Sequence, residues 1–230
     1  MKIIHHKQQL HAKLDEFDIA SLFTSKDGIP FELRSYDEGE IVLEEGDSMD
    51  ALLFLVEGKV KISSSVQTGK SLLLRFCEPF AVMGDIELIQ KVGVQSQVEA
   101  VCPTQCIAIP FTYIEEHLML DPKFLMSLLK EVTYKLQTCT TASRVNLLAS
   151  VENRFASYLL TTLQEKNNFG KEIRTTNTQE IADLIGTTSR HLNRVILNLT
   201  EQGVIYRERD TIYILDETKL QELSNGIRYE

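Results

Sequence analysis

The chain lacks any uninterrupted apolar run of about 18 residues, so no membrane-crossing helix is expected. Its first stretch, MKIIHHKQQLHAKLDEF, has neither a long apolar core nor a small-residue cleavage site, which argues against a secretory signal. Cysteine is scarce. The four present, Cys77, Cys102, Cys106 and Cys139, are scattered and do not make the spacing of a secreted disulfide framework. Cytoplasmic residence follows as the default expectation, with no membrane partner. Positive charge is also in deficit, with a formal net charge of −9 at pH 7. That balance weighs against a general nucleic-acid-binding surface. Attraction to phosphate is nevertheless local and falls off over roughly 8–10 Å. A basic helix on an acidic body can therefore still bind duplex DNA, while the acidic remainder suppresses non-specific binding.

Catalytic constellations are missing as well. No Ser–His–Asp spacing, phosphate-binding glycine loop or zinc signature stands out, so the chain is not expected to be an enzyme. His5, His6 and His11 lie near the start without a matching carboxylate or cysteine group, and a solvated start explains them better than a metal site. No metal and no resident cofactor are expected. An iron–sulfur cluster needs four converging thiolates, and the N-terminus supplies none. Burial of all four cysteines as small hydrophobes is the favoured reading, with a redox pair of Cys102 and Cys106 as the sharper alternative.

What is present is a chain of 230 residues, 43% hydrophobic and 25% charged, long enough for two compact domains. Residues 8–24 have mixed helical period and predict a short helix or two. From Phe31 to Ile109 the apolar runs shorten and glycines punctuate them at Gly39, Gly46, Gly58, Gly69 and Gly84. Residues 41–43, 52–56, 60–62, 72–76, 98–101 and 107–109 read as strands, which implies an antiparallel barrel or sandwich. After Pro110 the pattern turns helical. Phe111–Leu120 holds a short helix, and Asp121-Pro122 makes a good helix start. Residues 123–145 then run without Gly or Pro. Leu125, Leu128, Val132, Leu136 and Cys139 form a coiled-coil-like seam, with Thr138, Thr140 and Thr141 softening its far end. A second helix over about 146–166 leads through Asn167-Asn168-Phe169-Gly170 into a terminal module.

That module, residues 177–215, reads as a helix–turn–helix followed by a wing. Asn177 and Glu180 have capping-box spacing. Ile181, Leu184 and Ile185 form the buried side of the first helix, and Gly186 supplies the tight turn. Thr187 or Thr188 caps the second helix, whose first amides then face a phosphate. Leu192, Val195, Ile196 and Leu199 recur at i, i+3, i+4, i+7 as one apolar face. The opposite face collects Ser189, Arg190, Asn193 and Arg194, with no acidic residue between Thr187 and Thr200. Arg and Asn side chains reach phosphates and the edges of guanine or adenine. Gly203 ends the helix region. Val204–Arg207 and Thr211–Leu215 make two short strands around Glu208-Arg209-Asp210, with Arg207 and Arg209 near the DNA backbone. The competing account is a plain helical hairpin whose arginines are solvated surface charges. The competing function is a ligand-binding regulatory module whose C-terminal domain contacts protein.

Three segments together resemble the Crp/Fnr superfamily of transcription regulators: YDEGEIVLEEGDSMDALLFLVEGKVKIS at residues 36–63, MGDIELI at 83–89, and IADLIGTTSRHLNRVILNL. The wording SRHLNRV is similar to the YeiL-like branch. The resemblance implies an α+β chain in three parts. Residues 1–120 would form a cyclic-nucleotide-binding-like sensor, a double-stranded β-helix of jelly-roll type, with an N-terminal helix. Residues 121–145 would be a dimerisation helix, and 146–230 a winged helix–turn–helix. It implies a homodimer on double-stranded DNA, with RNA polymerase as a further partner. DNA contacts would fall to Thr187, Thr188, Ser189, Arg190, Asn193, Arg194 and Arg207. Effector contacts would fall to Gly84, Asp85, Glu87, Gln95 and Ser96. Members that bind cyclic AMP use a glutamate and an arginine in this cassette. Here Asp85 stands at the glutamate position, and Val94, Gln95 and Ser96 offer no cation. A buried phosphate without a paired charge is disfavoured, so cyclic AMP is not the expected effector. Arg194 fits the family's recognition-helix arginine, whereas Arg190 stands where a glutamate is usual. That reversal predicts an altered operator with extra guanine contacts.

Overall fold

The structure, a computed structural model, describes residues 1–65, 71–163 and 168–229. Gly69 and the end of the helix expected at 146–166 lie outside them, as does Asn167. The chain divides into two units, Met1–Ser64 with Phe76–Lys135 and Ser65–Arg75 with Leu136–Glu230.

The first unit is built on antiparallel strands. One sheet has the order β1 (Lys2–Ile4), β2 (Glu32–Tyr36), β9 (Thr104–Pro110), β4 (Ala51–Glu57), β7 (Ala81–Met83). The other runs β3 (Ile41–Leu43), β8 (Gln97–Ala100), β5 (Val60–Ser65), β6 (Ser71–Cys77). β4 reads ALLFLVE and is buried from Ala51 through Val56. Its alternation explains the continuous run, because successive side chains leave opposite faces of a strand. Leu52, Phe54 and Val56 join Ile107 and Ile109 of β9 in one core with Phe23, Ile114, Phe124 and Leu128. Ala51, Leu53 and Leu55 join Cys106 and Ala108 in a second core with Val60, Val98 and Ala100.

Three strands escape the hydrophobic pattern. β2 reads ELRSY, with a charged residue at a buried position. Arg34 is tolerated there because its Nη1 and Nη2 donate to Asp50 at 2.9 and 2.7 Å, and Nη2 also to Glu32 at 3.1 Å. β7 has only three residues, and β1 is mostly exposed. β1 shows the start to be solvent-exposed as expected but ordered as a strand rather than partly disordered. Lys2, Ile3 and Ile4 pair with Ser35, Arg34 and Leu33. His6 then caps α1 (Lys7–Glu16) by accepting from the Gln9 amide. Partners more than twenty-five residues away in sequence held the information that local pattern did not.

After β7 comes α2 (Asp85–Gln90), and after β9 a short α3 (Phe111–Tyr113) runs into a wider turn to Leu118. α4 spans Pro122–Leu148, 27 residues without a break. Asp121 starts it, its Oδ1 accepting from the Lys123 amide at 2.9 Å and the Phe124 amide at 3.2 Å. The threonines do not interrupt it, and Thr138 is itself buried. The seam is rotated from the expected one. Phe124 and Leu128 are buried in the first core with Leu125 packed against it. The exposed stripe is Met126, Leu129, Thr133, Leu136, Thr140, and only Leu136 belongs to both sets.

The second unit holds α5 (Val151–Leu163), α6 (Asn168–Ile173), α7 (Thr178–Leu184), α8 (Ser189–Glu201), β10 (Ile205–Glu208), β11 (Thr211–Ile214) and α9 (Glu217–Ser224). α5 starts at Val151 rather than 146. Ser150 and Asn153 form a reciprocal cap there, each amide donating to the other's side chain at 3.3 and 3.2 Å.

The Arg34–Asp50 pair yields a pH test. Hydrogen bonds from Arg34 hold the Asp50 carboxyl below the usual carboxylate range. A lowered folded-state pKa stabilises the fold above about pH 4, and that contribution fades as pH falls through the folded value. Asp50→Asn should therefore lower the urea midpoint at pH 7 and flatten its decline between about pH 6 and pH 3. Parallel acid limbs in wild type and variant would contradict this account.

Candidate nucleic-acid interface and sensor cassette

α7 begins at Asn177, whose side chain accepts from the Gln179 and Glu180 amides. Glu180 does not complete a two-residue capping box. It accepts from the Thr175 hydroxyl at 2.5 Å, and Thr175 in turn accepts from the Asn177 amide. Ile181, Leu184 and Ile185 are buried as the spacing predicts. Gly186 has φ +66°, a left-handed turn position where a side chain would be strained. The carbonyls of Ile185 and Gly186 accept from Arg154 Nη1 of α5, at 2.7 and 3.3 Å. The Leu184 carbonyl accepts from Asn146 of α4 at 3.0 Å. These ties fix the turn, and sequence spacing carried no sign of them.

Thr188 caps α8 by accepting from the His191 amide at 3.2 Å. Leu192, Val195, Ile196 and Leu199 are all buried. That leaves Arg190, Asn193 and Arg194 exposed, with Thr188 exposed and Thr187 and Ser189 half-buried at the helix start. Neither Arg190 nor Arg194 makes an ion pair among the described residues. Ser189 Oγ donates to Gln179 of α7, joining the two helices near the interface. The wing turns at Arg209 and Asp210, with Arg209 at φ +52° and Glu208 paired to Thr211. Tyr206 and Tyr213 stack across it at 6.1 Å.

Arg207 is engaged within the chain. Its Nη1 donates to Asn193 Oδ1 at 3.1 Å, its Nη2 to Thr178 at 3.0 Å and its Nε to the Arg209 carbonyl at 2.9 Å. Arginine has only donors, so the Asn193 amide must turn its oxygen to Arg207. The wing thereby orients a side chain of α8. Only the folded arrangement brings these residues together.

The sensor cassette is arranged differently from the sequence expectation. Gly84 has φ +95° and starts α2, where a Cβ would meet the Met49 side chain. Asp85 is buried at 2% exposure. Its Oδ1 accepts from Lys135 Nζ of α4 at 2.7 Å, and Oδ2 has no partner. Lys135 also donates to the Val82 carbonyl at 2.8 Å. A cation does stand beside the cassette, contributed by α4 rather than by the 94–96 segment. Glu87 is buried and accepts from the Gln95 amide at 3.0 Å, so it holds the end of the cassette loop. Gln95 itself is exposed and donates its side chain back to the Gly93 carbonyl, and Ser96 is half-buried.

Residues 33–121 match the family described as cyclic nucleotide-binding domain, and residues 153–223 the Crp-like helix–turn–helix domain. The two matches together span well over half of the chain. The chain belongs to the Crp/Fnr family. It is a DNA-binding transcription regulator by family, with a cyclic-nucleotide-binding-like sensor domain. Among its relatives is the regulatory protein YeiL of Escherichia coli O157:H7, 23% identical over 185 residues and covering 80% of this chain and 82% of that one. The cAMP-activated global transcriptional regulator CRP of Salmonella typhimurium is 23% identical over 190 residues, 79% of this chain and 89% of that one. Two solved structures share the fold. The c-di-GMP-responsive global regulator CLP of Xanthomonas campestris aligns at a TM-score of 0.69 and 20% identity, over 88% of this chain and 98% of that one. A CRP-family transcriptional regulator of Thermus thermophilus aligns at 0.67 and 19%, over 86% and 98%.

The cysteines of this Crp/Fnr protein correct one expectation. Cys77 and Cys106 are buried, but Cys102 is half-buried and Cys139 exposed, and all four are free. Burial pushes the Cys106 thiol up to about 12, against the pull of Arg34, which keeps it protonated and unreactive. That weakens the case for a Cys102–Cys106 redox pair.

The Asp85–Lys135 contact predicts strong coupling in a mutant cycle. Lys135→Met leaves a buried carboxylate without its cation and should destabilise the fold by about 3 kcal/mol, the low end for a buried pair. Adding Asp85→Asn should recover most of that loss in urea unfolding. Additive losses would mean that the two side chains do not interact.

Proposed function

We propose that the protein acts as a homodimer that reads a near-palindromic operator with α8 in successive major grooves, about 34–36 Å apart. The observation that carries this reading is the division of α8. One face is buried through Leu192, Val195, Ile196 and Leu199, and the other exposes Arg190, Asn193 and Arg194 without carboxylate partners. Arg190 and Arg194 read base edges. The first turn, with Thr187, Thr188 and Ser189, sets the helix on phosphate. Asn193 is held by Arg207, whose charge also adds to the attraction for the DNA backbone.

Dimerisation runs along α4. Met126, Leu129, Thr133, Leu136 and Thr140 follow steps of three and four on an exposed face, the spacing of a coiled-coil seam. Met126, Leu129 and Leu136 are 54%, 55% and 66% exposed in the single chain, so a second copy would cover them. A self-complementary seam suits a two-fold operator. RNA polymerase is the further partner of a regulator that activates.

Cyclic AMP does not fit the cassette as a productive effector. The segment around Val94, Gln95 and Ser96 offers no cation for the phosphate, and Lys135 is already paired with buried Asp85. An anion there would have to break that pair or remain unpaired. Micromolar binding of cyclic AMP to the intact protein, measured by calorimetry, would overturn this.

Fragments selected from random duplex DNA by the purified protein, without added ligand, give the operator for fluorescence anisotropy. Arg190→Ala and Arg194→Ala should each cost about 1–3 kcal/mol of discrimination at the bases they read. Arg207→Ala should weaken binding on every sequence and relax selection at the base under Asn193. Affinity should fall steeply with salt. A selection that returns no enriched sequence, or binding insensitive to salt, would favour the protein-contacting alternative. Leu129→Glu with Leu136→Glu should give a monomer in analytical ultracentrifugation. A dimer that persists would place the interface elsewhere.

A further inference from the structure

The second unit contains a cavity of about 380 Å³, some of whose lining also fixes the turn before α8. Its walls are mainly apolar, with Phe169 and Ile173 of α6, Leu184 of α7 and the ring of Tyr229 among them. Cys139 of α4 and Arg154 of α5 also line it. That volume falls within the range of pockets that hold small molecules.

Arg154 sets the chemistry. Its Nη1 donates to three backbone carbonyls, those of Asn146, Ile185 and Gly186. Its Nε is buried without a partner. No carboxylate pairs with it among the described residues, and its Nη2 donates to nothing there. A half-buried guanidinium beside apolar walls, with no counter-charge, is an unfavourable arrangement in isolation. The charge acts within the cavity: burial raises the Tyr229 hydroxyl above its usual range, and Arg154 opposes that rise. An anionic group at Arg154 would supply the missing counter-charge with charge-assisted hydrogen bonds. The apolar walls would take a hydrocarbon body. We infer that this cavity binds a small amphipathic carboxylic acid, its carboxylate on Arg154 and its apolar body against Phe169, Ile173 and Leu184. The site is distinct from the sensor cassette. The inference does not depend on the DNA reading, because the test below involves no DNA.

The probe is decanoate, with 1-decanol as the uncharged control, added to the full-length protein. Cys139 lines the cavity and is exposed, so its alkylation by iodoacetamide, followed by peptide mass spectrometry, reports occupancy. Decanoate should slow Cys139 labelling at least threefold and leave Cys102 labelling unchanged. Calorimetry should show decanoate binding at least tenfold more tightly than decanol. Arg154→Gln should erase that preference. Should Arg154→Gln fail to fold, by circular dichroism, Ala142→Phe at the cavity wall should abolish protection of Cys139 instead. Unprotected Cys139 in saturating decanoate, equal affinity for decanoate and decanol, or full protection in Ala142→Phe would each overturn the assignment.

Discussion

The burial of one side of α8 is the constraint on which the rest depends. A thirteen-residue helix is marginal alone, and it persists when an apolar stripe is taken out of water. Leu192, Val195, Ile196 and Leu199 fix the rotation of the helix about its axis. That rotation decides that Arg190, Asn193 and Arg194 face outward. The rest of the second unit then sets where the helix begins. Gly186 turns the chain, Arg154 and Asn146 hold the carbonyls of the turn, and Thr188 caps the first amides. Few of these contacts lie on the exposed face of α8, yet each of them positions it.

Most of this was legible in sequence because helical amphipathicity is local. Four apolar residues at helical spacing, a glycine and a threonine identify the module without any distant partner. The strands of the first core were legible for the same reason where they were apolar. The pattern failed where stability comes from pairing. β2 hides a buried arginine that Asp50, sixteen residues on, makes tolerable. β1 is a strand because β2 lies beside it. In α4 the periodicity was right and the face was wrong. A helix with two apolar stripes does not announce which one meets its own sheet, and Leu125 and Leu128 turned out to face inward. The contacts of Arg207 with Asn193 and Thr178, of Arg154 with Asn146 and Ile185, and of Lys135 with Asp85 were also hidden, since each joins residues at least eight positions apart in the chain.

The sensor cassette shows how a buried carboxylate can be held from another element. Asp85 is shorter in reach than a glutamate, and it is buried where a carboxylate without a partner would be costly. Lys135 reaches it from α4, and the ammonium also takes the Val82 carbonyl. The cassette is thus tied to the helix whose exposed stripe suits a second copy. A ligand that acts through this cassette must favour one arrangement of that tie over another, since equal affinity for both shifts nothing. Removal of the ion pair would leave a lone buried carboxylate, so any such ligand must answer the charge of Asp85 when it displaces Lys135.

The acidic balance of the chain is compatible with the reading of α8 because charge acts over short range. The net charge of −9 belongs to the whole protein, whereas α8 has no acidic residue before Glu201. At physiological salt a carboxylate more than about 8 Å from the phosphates is largely screened. In the proposed complex Arg190 and Arg194, unpaired among the described residues, supply the local positive charge, and carboxylates beyond that range act chiefly on encounters in the wrong orientation. A uniformly basic protein would bind any duplex. A local basic face on an acidic body gains little from non-specific contact and must draw its affinity from the fit of α8 to a particular groove.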